Sequence, residues 1–181
     1  MPCTLTNQDN NMCVLIYKPA GVAMPAKRIL KACFAANPHG AGFSTPDSVH
    51  HSMRFESIYK GLKSVPKEMP CIIHFRLATH GSIRLGNCHP FKIEQTYFAH
   101  NGVLSLPTKN DMTDSETAFR MLYPAIKRGG LYSQELDRNV RQIIGTSKFA
   151  FMCGKDVRLF GDFKKIDGVY YSNLRWRNYL L

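Results

Sequence analysis

The stretch Cys71–Gly102, CIIHFRLATHGSIRLGNCHPFKIEQTYFAHNG, decides how the rest of the chain is read. It holds four of the seven histidines and two of the six cysteines, which marks it as the place to look for chemistry. Two short apolar runs lie within it. Cys71-Ile72-Ile73 leads into His74-Phe75-Arg76-Leu77-Ala78-Thr79-His80-Gly81, and Thr96-Tyr97-Phe98-Ala99 leads into His100-Asn101-Gly102. Runs of this length, rich in β-branched and aromatic residues, read as buried strands. Each ends in a polar cluster, so the reading places both clusters at a common end of a sheet as half of an active site. The other half must come from elsewhere in the chain.

Outward from this stretch, strands and helices are legible on both sides. Upstream, Cys13-Val14-Leu15-Ile16-Tyr17 is an apolar run of strand length, broken by Lys18-Pro19-Ala20-Gly21. Ile29, Leu30, Cys33 and Phe34 have helical spacing within residues 26–36. Asn37-Pro38-His39-Gly40 reads as a turn. Gly40-Ala41-Gly42-Phe43 opens a strand whose glycines allow another backbone to approach closely. Val49–Phe55 reads as its partner strand, and Ser57–Val65 as a helix closed by Pro66 and Pro70. Ser82–Phe91 reads as a loop.

Downstream, Thr113-Asp114-Ser115-Glu116 has the pattern of a capping box, with the Thr hydroxyl capping the helix and Glu116 reaching back. That helix carries Ala118, Phe119, Leu122 and Ile126 on one side and ends at Gly129-Gly130. Ser133 caps another, with Leu136, Val140, Ile143 and Ile144 as its apolar face and Gly145 as its end. Lys148–Cys153, Val157–Phe160 and Val169–Tyr171 are short strands. Their short connections favour antiparallel pairing, so the fold class is α+β rather than doubly wound.

The whole chain, 181 residues with 44% hydrophobic and 20% charged content, fits one domain. No apolar run approaches the roughly 20 residues that span a membrane. Residues 1–12 are polar and lack the apolar middle of a signal peptide, which points to the cytoplasm. They read as a tail, a removable pro-segment or an extension upstream of a true start at Met12; residues 13–181 form the domain. The six cysteines are scattered without a C-x-x-C, which argues for reduced thiols rather than a disulfide framework or zinc ribbon. The net charge of +11 raises a nucleic-acid or acidic partner, but the basic residues are spread along the chain and no nucleic-acid-binding signature is present. A solvated basic surface accounts for most of it.

A thiolate nucleophile needs a base, a substrate clamp and donors for an oxyanion. Cys13 starts a strand, so its sulfur can face a cleft. Were residues 1–12 absent, it would also carry an α-amine titrating near ~8, a suitable base. The competing reading is a small buried apolar side chain. Arg76, near the end of a buried strand, suits a substrate carboxylate or an internal ion pair. Asn101 and Gly102 suit an oxyanion, or only a turn. Asp114 suits a substrate ammonium, or only a helix cap. The histidines lack a compact ligand spacing, so no metal is expected.

In chain order these elements resemble the glutaminase domain of class II glutamine amidotransferases, which are N-terminal-nucleophile hydrolases. The elements are Met12-Cys13, His74 to Gly81, Asn87 to Phe91, His100 to Gly102 and Thr113 to Glu116, with Asn37 to Gly42 as an early glycine-containing segment. Phe75 and Leu77 depart from the family's usual Thr and aromatic residue. The resemblance implies an αββα sandwich, two antiparallel sheets between helical layers. It implies hydrolysis of glutamine to glutamate and ammonia through a thioester, without a cofactor. Cys13 would be the nucleophile and its freed α-amine the base. Arg76 would bind the α-carboxylate, Thr79 and His80 line the pocket, Asn101 and Gly102 form the oxyanion hole, and Asp114 hold the ammonium. The expected protein is a stand-alone domain that passes ammonia to a separate synthase subunit. The alternatives are a hydrolase of another γ-glutamyl amide and an inactive fold kept as a basic binding protein.

Overall fold

The computed structural model describes residues 13–78, 82–108 and 112–180. Among the described residues, ten strands form two antiparallel sheets. In the first, β1 (Val14–Lys18) lies between β4 (Cys71–Phe75) and β10 (Val169–Tyr171). The sheet continues outward through β2 (Ala41–Thr45) and β3 (Ser48–Ser52) on one side and β9 (Lys164–Ile166) on the other. The second has the order β5 (Phe91–Ile93), β6 (Thr96–Asn101), β7 (Lys148–Cys153) and β8 (Asp156–Phe160).

The alternation of side chains along each strand builds three apolar layers. Val14 and Ile16 of β1, with Ile73 and Phe75 of β4, face α1 (Lys27–Ala36) and α2 (Phe55–Lys63). Leu15 and Ile72 point the other way and meet Tyr97, Ala99, Ala150 and Met152 of the second sheet. Phe98, Phe149 and Phe151 face α3 (Asp114–Gly129) and α4 (Gln134–Ile143). Because both faces of the central strands are covered, β1, β4 and β6 read as continuous apolar runs rather than alternating ones. The result is the αββα sandwich. Among the described residues no helix is long and apolar enough to cross a membrane.

The structure corrects several local expectations. The two runs of Cys71–Gly102 do not share a sheet: β4 belongs to the first and β6 to the second, and their polar ends meet across the sandwich. Phe55 does not end a strand but opens α2, where its ring packs into the helical layer beside Phe34 and Tyr59. Within the expected 82–91 loop, Leu85–Asn87 forms a 3-10 turn and Phe91 begins β5. Strand β9, only three residues long and largely exposed, has no apolar periodicity to reveal it. Thr113 does cap α3, accepting from the Glu116 N–H at 3.1 Å, but Glu116 does not reach back. Its carboxylate pairs with Arg120 one turn on, at 2.8 Å.

Gly42 is a case of enforced close approach. A Cβ there would lie 2.3 Å from the His89 carbonyl oxygen, so only glycine lets β2 pass the turn that precedes β5.

Candidate active site

Register brings the site together. Antiparallel pairing of β1 with β4 sets Val14 opposite Phe75, so the residue before β1 falls beside the residues after β4. Cys13 therefore meets Arg76 and Leu77. Its Sγ lies 3.2 Å from the Leu77 amide N, which donates to it, and 3.3 Å from the Leu77 carbonyl O, which accepts from the thiol. Burial pushes the Cys13 thiol up, while the Leu77 backbone hydrogen bond and the Arg76 charge oppose that shift. The thiol is thus protonated at neutral pH and needs a base to become a nucleophile.

A loop after β10 fixes the start of β1. The Asn173 amide donates to the Cys13 carbonyl O at 2.8 Å. Ser172 Oγ accepts from the Leu15 N–H at 2.9 Å and from Asn101 Nδ2 at 2.6 Å. On the far side, Asn37–Gly40 runs alongside the end of β4 rather than simply turning. Arg76 N–H donates to the Gly40 carbonyl at 2.8 Å, and His39 Nδ1 accepts from the Ala78 N–H at 2.9 Å. No sequence motif marks Ser172, Asn173 or His39 as a site residue on its own. A serine and an asparagine after a short strand, and a histidine after Asn-Pro, carry no local signal of a contact this distant in the chain.

Cys13, Arg76, Gly102 and Asp114 line one pocket, together with His74, His89, His100 and Ser115. Its cavity is about 40 Å³, room for a water or two rather than an amino acid. Arg76 is 5% exposed, and its guanidinium places a positive charge in the wall. Asp114, the first residue of α3, accepts from the Leu104 N–H and the Ser115 N–H, both at 2.8 Å. Its position at a helix N-terminus suits a carboxylate. The capping role expected as its bland alternative is therefore present, in the same pocket as Cys13.

Alternation along β6 splits its polar end. His100 points toward α3, where Nδ1 is 2.8 Å from Ser115 Oγ. Asn101 points toward the first sheet, to Ser172. The Asn101 side chain is fully buried, its Oδ1 has no partner among the described residues, and it is not part of the pocket lining. Gly102 does line the pocket. It has φ +139°, and a Cβ would stand 2.2 Å from Ser147 Oγ. Thr79 and His80 lie outside the described residues.

Three imidazoles form the floor. His74 Nε2 and His89 Nδ1 both sit 3.1 Å from the His100 carbonyl O, and the His74 and His89 rings are 4.3 Å apart between centroids. Burial pushes all three below the usual histidine range, His74 to about 3 and His100 to about 4; repulsion from neighbouring imidazoles and from Arg76 adds to the shift at His74 and His89, while the Asp114 charge opposes it at His100. They are neutral at pH 7. One nitrogen of each ring is taken up by backbone or serine, and among the described residues no cluster has metal-binding form.

The family model for glutamine amidotransferases class-II matches residues 37–150, more than half of the chain. Arg76, Asn101, Gly102 and Asp114 fall inside the match and Cys13 outside it. A solved structure titled as the allosteric regulatory enzyme of purine biosynthesis is similar in fold, with a TM-score of 0.57 at 18% identity. The alignment covers 88% of this chain and 41% of that one, so the chain spans less than half the length of that structure. No curated protein matches the sequence. The match across residues 37–150 and the αββα sandwich agree, and the chain belongs to the class II glutamine amidotransferase family.

Proposed function

We propose that this protein hydrolyses the side-chain amide of glutamine, with Cys13 as nucleophile. The observation that carries the reading is the pocket that Cys13 lines together with a cation, Arg76, and an anion, Asp114. An amino-acid substrate carries a carboxylate and an ammonium, and these two side chains complement it. Sγ attacks the amide carbon, the C–N bond breaks, and ammonia leaves from a thioester. Water then attacks the thioester carbon, the C–S bond breaks, and glutamate is released with the thiol restored.

Because Cys13 is protonated at neutral pH, the step needs a base, and in the uncut chain its own nitrogen is bound in a peptide. Removal of residues 1–12 would supply the α-amine as base and make residues 13–181 the working domain. The Gly102 N–H serves the oxyanion, and Asn101 Nδ2, which stands outside the pocket lining, joins it as the lining side chains move apart on binding. An Asn101 amide turned end for end lets the Ser172 hydroxyl donate to Oδ1 and frees Nδ2, which satisfies the oxygen that otherwise lacks a partner. The same reading assigns Thr79 and His80 to substrate binding. The cavity is smaller than glutamine, so the lining side chains move apart on binding.

The ammonia passes to a separate synthase subunit. The five free cysteines among the described residues favour a reducing, cytosolic setting. An inactive binding protein is the second reading, favoured only while Cys13 keeps its peptide bond. Intact mass and glutamate release, measured on one preparation, decide between them. The expected result is a chain beginning at Cys13 that releases glutamate and is silenced by Cys13→Ala. A chain beginning at Cys13 that leaves glutamine untouched sinks the proposal.

A further inference from the structure

The two helical layers carry very different charge. On the second sheet, α3 and α4 together hold five basic and four acidic residues. On the first sheet, α1, α2 and the 3-10 helix Arg175–Tyr179 hold seven basic residues and one acid. The acid, Glu56, is paired with Lys27 at 3.2 Å. In this layer α1 lies in the middle, packed against α2 and against the 3-10 helix. Lys27, Arg28 and Lys31 of α1 are exposed, as are Lys60 and Lys63 of α2 and Arg177 beyond. Arg54, just before α2, adds to the same edge. A net six of the chain's eleven excess positive charges therefore lie in this one layer.

We propose that this face binds the phosphate backbone of a nucleic-acid duplex, independently of the chemistry at Cys13. Two features favour a duplex over an acidic protein or a single strand. None of the large apolar side chains of α1 or α2 is exposed, so the face lacks the apolar centre of a protein–protein interface. Tyr179, at 49% exposure, is the one exposed ring on these three elements, which leaves little for base stacking. What the face offers is separated cations at the tips of flexible side chains on helices about 10 Å apart, suited to successive phosphates and blind to sequence.

The test is a fluorescence-anisotropy titration of the full chain with a labelled random duplex of about 20 base pairs, repeated across salt from about 50 to 200 mM. Binding is expected to weaken linearly on a log–log plot with a slope of about −4, the signature of roughly four to five neutralised phosphates. The pair Lys31→Glu and Lys60→Glu should weaken binding at least ~10-fold and flatten the slope by about 2. A charge-matched pair on the other layer, Arg138→Glu and Arg141→Glu, should leave the slope unchanged. Lys31→Gln with Lys60→Gln gives the same reading should the reversals impair folding. Equal effects of the two pairs, no binding at the lowest salt, or tighter binding to polyglutamate than to the duplex would each overturn the proposal.

Discussion

Ser172 Oγ stands 2.6 Å from Asn101 Nδ2 and ties the end of β6 in one sheet to the strand-end loop of the other. The same oxygen accepts the Leu15 N–H of β1 at 2.9 Å, and the neighbouring Asn173 holds the Cys13 carbonyl. One hydroxyl thus fixes the distance between the thiol's strand and the proposed oxyanion donor. Ser172→Ala leaves a buried N–H of Leu15 and the Asn101 amide without that partner. We expect a loss of about 2 kcal/mol in stability by urea denaturation, since an orphaned buried polar group costs about 1–3 kcal/mol. Glutaminase kcat should fall ~10-fold or more with KM little changed, because the loss falls on the oxyanion rather than on substrate binding. A variant with unaltered kcat would separate Ser172 from catalysis.

Gly102 is held to glycine by both space and conformation. At φ +139° any side chain is strained, and a Cβ would collide with Ser147 Oγ at 2.2 Å. Gly102→Ala is expected to cost about 2–4 kcal/mol and to abolish measurable glutamate release. Ser147→Gly in the same chain removes the side-chain collision but leaves the residue-147 Cα 2.9 Å from the new Cβ, and it leaves the strain. Thermal melts of the single and double variants should therefore show partial recovery; full recovery would mean that the backbone tolerates this angle.

Arg76 and Asp114 should act mainly on substrate affinity. Arg76→Lys keeps the charge but loses the planar fork that grips a carboxylate with two hydrogen bonds. KM for glutamine should rise ~10-fold or more in Arg76→Lys. Asp114→Asn should raise KM similarly while retaining a helix start, because an asparagine oxygen still accepts from Leu104 N–H. Steady-state kinetics that showed a fall in kcat alone would argue against both roles.

The three floor imidazoles give a pH dependence of known sign. His74, His89 and His100 are held neutral in the folded protein, His74 to about 3, whereas unfolded histidine titrates near ~6.5. As pH falls below ~6.5 the unfolded chain takes up protons that the folded chain refuses. Stability is full above that pH and is lost on acidification toward the folded value. With up to about three protons involved, the slope between pH 6 and 5 should approach ~4 kcal/mol per pH unit. Urea midpoints measured from pH 7.5 to 5 test this; a flat profile would show that the rings are not buried neutral.

Much of this molecule was legible in its sequence. The run from Cys71 to Gly102 announced two strands with polar ends, and Thr113 and Ser133 announced the starts of α3 and α4, because strand alternation and helix capping are set by neighbours along the chain. Departures came where distant contacts decide. Phe55 could extend a strand or open a helix until the rings of Phe34 and Tyr59 gave it a place. Glu116 could reach back to its cap until Arg120 offered a stronger, charged partner. β9 has no pattern and exists because β10 supplies its hydrogen bonds. The same division runs through the site. By itself the sequence determined which residues could act, since a thiol before a strand and an arginine, a glycine and an aspartate in ordered motifs are properties of residue type and spacing. Tertiary structure alone decided that Cys13 falls beside Arg76 through the register of β1 on β4. It also decided that the two halves of the central stretch lie in different sheets, and that Ser172 joins them. Register and sheet stacking depend on which apolar faces find each other across the core, and no local pattern in the chain encodes that choice.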